Sequence, residues 1–201
     1  MTTESYRAAL NKLETIKAFV KGIDYDYNAL EEIRDAKESL QQAQKDLEDE
    51  LLEKKNVLSQ LELVEVDESR KELQDELREI EAVIADLQTS VAEWKAKVKE
   101  LEKDFEPHPL DIDTPEGNHT GAQESVLSVD YRSGWSDYEG DFVATEVRLT
   151  LAIGGPNIYL YADYDDGQVS NCRLVCNWWG DRAEITHDQD VMVRFIEYVN
   201  D

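Results

Sequence analysis

Proline is missing from the first 106 residues of this 201-residue chain, and Gly22 is the only glycine before Gly117. The first half therefore holds almost nothing that interrupts a helix, while the second half is rich in turn formers. Lysine stops at Lys103. Beyond it the only basic residues are Arg132, Arg148, Arg173, Arg182 and Arg194, against eighteen acidic ones, so residues 107–201 carry −13 of the total charge of −25. Such a surface repels phosphate, which excludes direct binding to DNA or RNA and to an anionic membrane. A protein partner with a basic surface is the attractive alternative.

Cysteine is scarce too. Cys172 and Cys176 fall in a strand pattern four residues apart, roughly 13 Å along one face, so they cannot bond to each other. Two reduced thiols, and no apolar run of bilayer length, predict a cytoplasmic protein. His108, His119 and His187 have no zinc spacing, and no phosphate loop or nucleophile elbow is present. The turn at Asp163, Asp165, Asp166 and Gly167 begins like a calcium loop. Its glycine falls at position five rather than six, and Leu174 stands where a bidentate glutamate is needed. The sequence is thus read as a non-enzymatic protein without metal or cofactor. The sequon Asn118-His119-Thr120 is read as coincidence.

What is present is a coiled-coil stripe. Leu73, Leu77, Ile80, Ile84, Leu87, Val91, Trp94, Val98, Leu101 and Phe105 alternate steps of four and three without a break, the spacing of a helical seam. A weaker stripe precedes it at Leu30, Ile33, Lys37, Leu40, Gln44, Leu47, Leu51, Lys54, Leu58 and Leu61. The phase is lost between Leu61 and Asp67, and Ser69 with Glu72 offers a capping box for a new start. Two matched helices roughly 50 Å long, joined by a short break, predict an antiparallel hairpin. Lys37, Gln44 and Lys54 are read as side chains that snorkel along the rod, or as residues that fix register. An N-terminal helix with Tyr6, Ala9, Leu10, Leu13, Ile16, Phe19 and Val20 on one face is expected to lie on the hairpin as a third strand, with Gly22 as its cap.

The domain boundaries expected are 1–106 for the helical coiled coil, 107–124 for an acidic Pro/Gly linker, and 125–201 for a small sheet domain. From Val126 the pattern changes to period two, with Val143, Thr145, Val147, Leu149, Leu151 and Ile153 on one face. Turns at Gly154–Asn157 and Asp165–Gly167 then link antiparallel hairpins. Thr186 with Gln189 caps a closing helix whose stripe holds Val191, Met192, Phe195, Ile196 and Val199. The prediction is an α+β protein, a helical hairpin followed by an antiparallel ββββα domain.

If Ile158, Leu160 and Ala162 point inward, Tyr159, Tyr161 and Asp163 point away, beside Asp165 and Asp166. Aromatics next to carboxylates suit a protein interface aimed at arginine or lysine, and cross-strand pairing on a covered face is the competing reading. Trp178 and Trp179 cannot both face inward, and Trp135 sits in a Gly-containing turn. The expected partner-binding set is Tyr159, Tyr161, Asp163, Asp165, Asp166, Trp179 and Asp181.

The run Glu146-Val147-Arg148-Leu149-Thr150-Leu151, followed by Gly154-Gly155-Pro156 and, two strands later, Trp178, resembles a small domain of phage and prophage proteins of unassigned function. The resemblance covers about sixty residues, and Asn171–Cys176 departs from its more polar pattern. It implies a mobile-element origin. Together with the charge it gives the expectation of an acidic inhibitor, of anti-CRISPR or anti-restriction type, that docks on the basic groove of a nucleic-acid-processing effector. Mimicry of DNA by the rod is limited, because duplex DNA carries a charge every 1.7 Å or so, more than twice the rod's density. The alternative is a structural adaptor whose coiled coil forms a homodimer.

Overall fold

A computed structural model describes residues 3–133, 144–165 and 167–201, so Trp135, Val143 and Asp166 lie outside the described residues. The elements are α1 (Glu4–Ile23), α2 (Tyr27–Leu63), α3 (Asp67–Glu102), α4 (Pro115–Glu124), β1 (Ser128–Ser133), β2 (Ala144–Ala152), β3 (Asn157–Asp165), β4 (Gln168–Trp178), β5 (Asp181–Ile185) and α5 (Gln189–Asn200). The architecture is α+β. The chain divides into two units, Met1–Tyr25 with Pro107–Asp201, and Asp26–Glu106.

In the first unit the strands form one antiparallel meander in the order β1-β2-β3-β4-β5. Alternation works as expected in the middle strands. Val147, Leu149, Leu151, Ile158, Leu160, Ala162, Cys172, Leu174 and Cys176 are buried and share one core with α1 and α5. Five strands were not expected. Asp181–Ile185 is a strand paired with β4, Cys176 facing Ala183 and Leu174 facing Ile185.

The extra strand explains the second correction, that α1 belongs to this unit and not to the hairpin. A five-stranded sheet is roughly 20 Å wide, and one helix about 10 Å across leaves half of its inner face wet. Helix α1 covers the remainder: Ala9, Leu13 and Ile16 are fully buried, and the Phe19 and Phe195 rings lie 6.3 Å apart. Burying side chains of this size stabilises by roughly 1.5–3 kcal/mol each. The expected 1–106 domain is therefore split at Tyr25.

The expected linker 107–124 is also part of this unit. Thr114 accepts from the Gly117 amide and Pro115 opens α4, a position where proline's missing N–H costs nothing. Asn118, fully buried, donates to the Phe19 carbonyl and the Tyr198 hydroxyl, each at 3.0 Å. The His108 Nδ1 accepts from the Leu110 and Ile112 amides. Gly22 is not a cap but a point of close approach inside α1: a Cβ there would strike Asn118 Oδ1 and His108 Nε2. The sequon asparagine is thus sealed in the core.

Two local start signals also work differently from expectation. Asp188, left-handed at φ 60°, is the N-cap of α5 and makes no side-chain cap bond. The Gln189 amide is used instead as a surrogate peptide. It accepts from the Cys172 amide and donates to the Cys172 and Thr186 carbonyls, where Asn171 at φ 48° lies at the register break between β3 and β4. In the second unit, α3 begins at Asp67 rather than at a Ser69 box, with acidic Asp67 and Glu68 in its first turn facing the positive end of the helix dipole.

The second unit is the helical hairpin. The nine seam residues on α3, and Phe105 just beyond it, are each buried or half-buried. On α2 the face turned to α3 is shifted from the expected one. Ile33, Ala36, Leu40, Ala43, Leu47, Glu50, Lys54, Val57 and Leu61 are the protected positions, whereas Lys37, Gln44, Leu51 and Leu58 are exposed. The covered line is the one that holds the small Ala36 and Ala43, and Ala36 borders one surface pocket with the bulky Trp94 of α3. Lys37 pairs with Glu102 at 2.7 Å and Lys54 with Glu81 at 2.8 Å, so both amines tie the two helices along one flank.

Candidate protein-binding surface

The outer face of the sheet carries the residues that pairing in β1–β4 brings into rows. Asp130, Arg148, Tyr161 and Arg173 form one row by direct register. Tyr159 and Tyr161 do turn away from the core, but their rings are already engaged. The Arg148 guanidinium lies 5.4 Å from the Tyr159 centroid and that of Arg173 lies 5.1 Å from Tyr161. Arg148 in turn donates to Asp130 at 2.7 Å and 3.3 Å, holding that carboxyl below its ordinary range. Arg173 donates to Glu146 at 2.7 Å, and Arg132 stands 3.5 Å from the same carboxylate. The face is a network closed by the chain's own cations, and the tyrosines serve as cross-strand pairs within it.

The other expected positions separate. Asp163 accepts from Asn171 at 2.8 Å. Asp165 pairs with Gln168 where β3 turns into β4. Trp179 and Asp181 sit at the opposite end of the eleven-residue β4, roughly 33 Å away at strand rise. The Asp181 carboxyl is held below its ordinary range first by the Thr3 hydroxyl and then by that of Ser5. Asp166 lies outside the described residues. The six described residues therefore do not form one patch, since Tyr159, Tyr161 and Asp163 share β3 while Trp179 and Asp181 lie at the β4–β5 turn.

Trp179 stands apart from all of them. Trp178 is half-buried and paired with Asp181, leaving Trp179-Gly180 as a two-residue turn with φ of 49° and 81°. Positive φ at both positions is the hairpin geometry that favours asparagine, aspartate or glycine at the first. A larger L-residue there costs roughly 1–2 kcal/mol. The Trp179 side chain recovers none of this by packing, since the residue is 94% exposed. Along the same end of the sheet lie Ile153, 65% exposed after β2, and Leu127, 56% exposed before β1. Sequence reasoning placed Ile153 on the inner face; the Gly154-Gly155 that follows it marks it as already in the turn. Leu127 was missed.

The cysteines offer no chemistry. Both are free and buried, and desolvation pushes the Cys172 thiol up to about 12, where no nucleophilic thiolate forms at neutral pH. Among the described residues no group of three or more His, Cys, Asp or Glu could hold a metal ion, and no helix is long and apolar enough to cross a membrane. No family model, curated protein or solved structure matches the chain.

Proposed function

We propose that the protein is a non-enzymatic, cytoplasmic binding protein that docks on a basic surface of a protein partner, and that it acts as an anti-defence inhibitor of a nucleic-acid-processing enzyme. The observation that carries this reading is Trp179, held in a strained turn and fully offered to solvent. A local rule broken with no gain to the fold is expected at a functional position. Tryptophan is also the residue type most enriched among binding hot spots. Ile153 and Leu127 would extend its apolar contact, and the unit that bears it carries −12, which selects a basic rim around the receiving pocket and steers the encounter.

The test immobilises the full chain and its Trp179→Asn variant, and exposes both to lysate of a candidate host at low and high salt. The expected result is a nucleic-acid-processing enzyme retained by the original chain at low salt, lost at high salt, and lost on the variant. That enzyme, purified, should be inhibited by stoichiometric chain. Identical retention by the two baits refutes the role given to Trp179, and retention that ignores salt refutes the basic surface.

A further inference from the structure

The α2–α3 hairpin holds a second binding surface, independent of Trp179. The positions of α2 that face α3 run Leu47, Glu50, Lys54, Val57, Leu61, yet α2 carries a second line of leucines one position further round the helix. Leu51 is 45% exposed and Leu58 42%. They lie beside Leu47 and Leu61, which pack on the hairpin core, and Lys54, paired with Glu81, falls between them along the chain. The seam toward α3 carries polar Glu50 and Lys54 among Leu47, Val57 and Leu61, so part of the apolar surface of α2 lies beside the seam, at Leu51 and Leu58. Leu51 and Leu58 therefore offer apolar surface that α3 does not cover and one more helix would.

Charge decides what kind of helix. Residues 46–86, the end of the hairpin that holds these leucines, contain fifteen acidic and five basic side chains, a net −10, whereas the rest of the hairpin nets only −3. Glu48 and Glu62 lie one turn beyond the leucines on α2, with Lys55 between them, while Glu81 on α3 is already paired with Lys54. A second copy of this chain would bring −10 against −10 at close range, where screening is weakest. A cationic helix meets the same surface with its apolar side on the leucines and its lysines or arginines on the carboxylates.

We infer that the flank lined by Leu51 and Leu58 binds a basic amphipathic helix of another protein, which completes a three-helix arrangement with α2 and α3. The probe is a labelled three-heptad peptide with leucine at its a and d positions and lysine elsewhere, titrated with the full chain by fluorescence anisotropy. A peptide of the same composition in scrambled order and one with glutamate for lysine serve as comparisons. The heptad peptide should bind with a dissociation constant in the micromolar range, weakened at least tenfold by the double substitution Leu51→Gln, Leu58→Gln, with unchanged helix content by circular dichroism. Raising salt should weaken it further, and Trp179→Asn should leave it unchanged, which separates this surface from the one proposed above. Equal binding of the scrambled peptide, or of the double variant, would reduce the effect to attraction between polyions and overturn the inference. So would a dimer by sedimentation equilibrium that the double variant abolishes, since a second copy would then cover the leucines.

Discussion

Replacing Trp179 by asparagine should make the globular unit more stable, an unusual direction for removing a tryptophan. The left-handed turn position costs a non-glycine residue roughly 1–2 kcal/mol, and asparagine relieves much of this through local hydrogen bonding of its short side chain. The loss on the other side is small. With 94% of Trp179 exposed, only about 10–15 Å² of a side chain that can bury 150–250 Å² is removed from water, worth about 0.3 kcal/mol. The net gain is about 0.5–1 kcal/mol. Glycine at the same position relieves the strain fully but adds freedom to the unfolded chain at roughly 0.5–1 kcal/mol, so Trp179→Gly should lie close to the original. Urea unfolding followed by near-ultraviolet circular dichroism reads the first unit, where Trp178 and Phe195 pack. With a slope near 2 kcal/mol per molar, the Asn variant should move the midpoint up by about 0.3–0.5 M without changing the slope. A midpoint that falls would mean that the indole stabilises the fold, and Trp179 would lose its standing as a residue kept for binding.

Hairpin phase is tested by a neighbouring pair. Ala43→Glu places a carboxylate in the helix interface, Ala43 being 8% exposed, and should cost about 3 kcal/mol or more of hairpin stability. Gln44→Glu on the exposed side should stay within about 0.5 kcal/mol; thermal melts of helix signal that rank them the other way restore the phase through Gln44. For His108, burial lowers the ring's proton affinity in the fold below the ordinary 6.5. The unfolded chain therefore binds the extra proton first as pH falls, and stability present above pH 6.5 is lost below it. Unfolding free energies at pH 7 and pH 5.5 should differ in the original chain by more than in His108→Asn, and equal differences would refute the buried neutral ring. Both thiols should be silent to a thiol reagent in the native state and should react at the rate of unfolding, given the burial of Cys172 and Cys176 and the raised thiol of each. A fast-reacting fraction in native buffer would show that the core around β4 opens.

The parts of the fold legible in the sequence are those where a pattern and its burial come from the same few residues. The stripe of α3 is one, since its nine positions from Leu73 to Leu101, and Phe105 beyond them, are all covered. On α2 the pattern misleads because leucine outweighs alanine by eye. Leu51 and Leu58 mark an apolar line, but Ala36, Ala43 and Val57 mark the covered one. Composition shows which positions are apolar, while only the partner's shape decides which of two adjacent lines it covers. The same limit hides the allegiance of α1, whose stripe fits a hairpin or a sheet equally well until the width of five strands is known. That fifth strand was hidden by Asp181, Arg182 and Glu184, three charged residues in five. Thr114-Pro115 reads as readily as a helix start as a linker, and Gly22 reads as a cap because nothing near it in sequence announces His108 and Asn118.

The candidate site meets the same limit. Whether Tyr159 and Tyr161 are available depends on Arg148 and Arg173, one strand away on either side, and their register follows from turns and bulges that no local pattern encodes. Trp179 depends on the turn that pairing of β4 with β5 creates. Two adjacent tryptophans at a strand end cannot share a face, and a Trp-Gly pair closing a two-residue hairpin must place the first of them at positive φ, away from the core. Alternation shows that one of the two tryptophans leaves the face, and which one follows only once Asp181–Ile185 is known to be a strand. Exposure settled by a neighbouring strand is thus hidden at Tyr159 and Tyr161 as it is at Trp179.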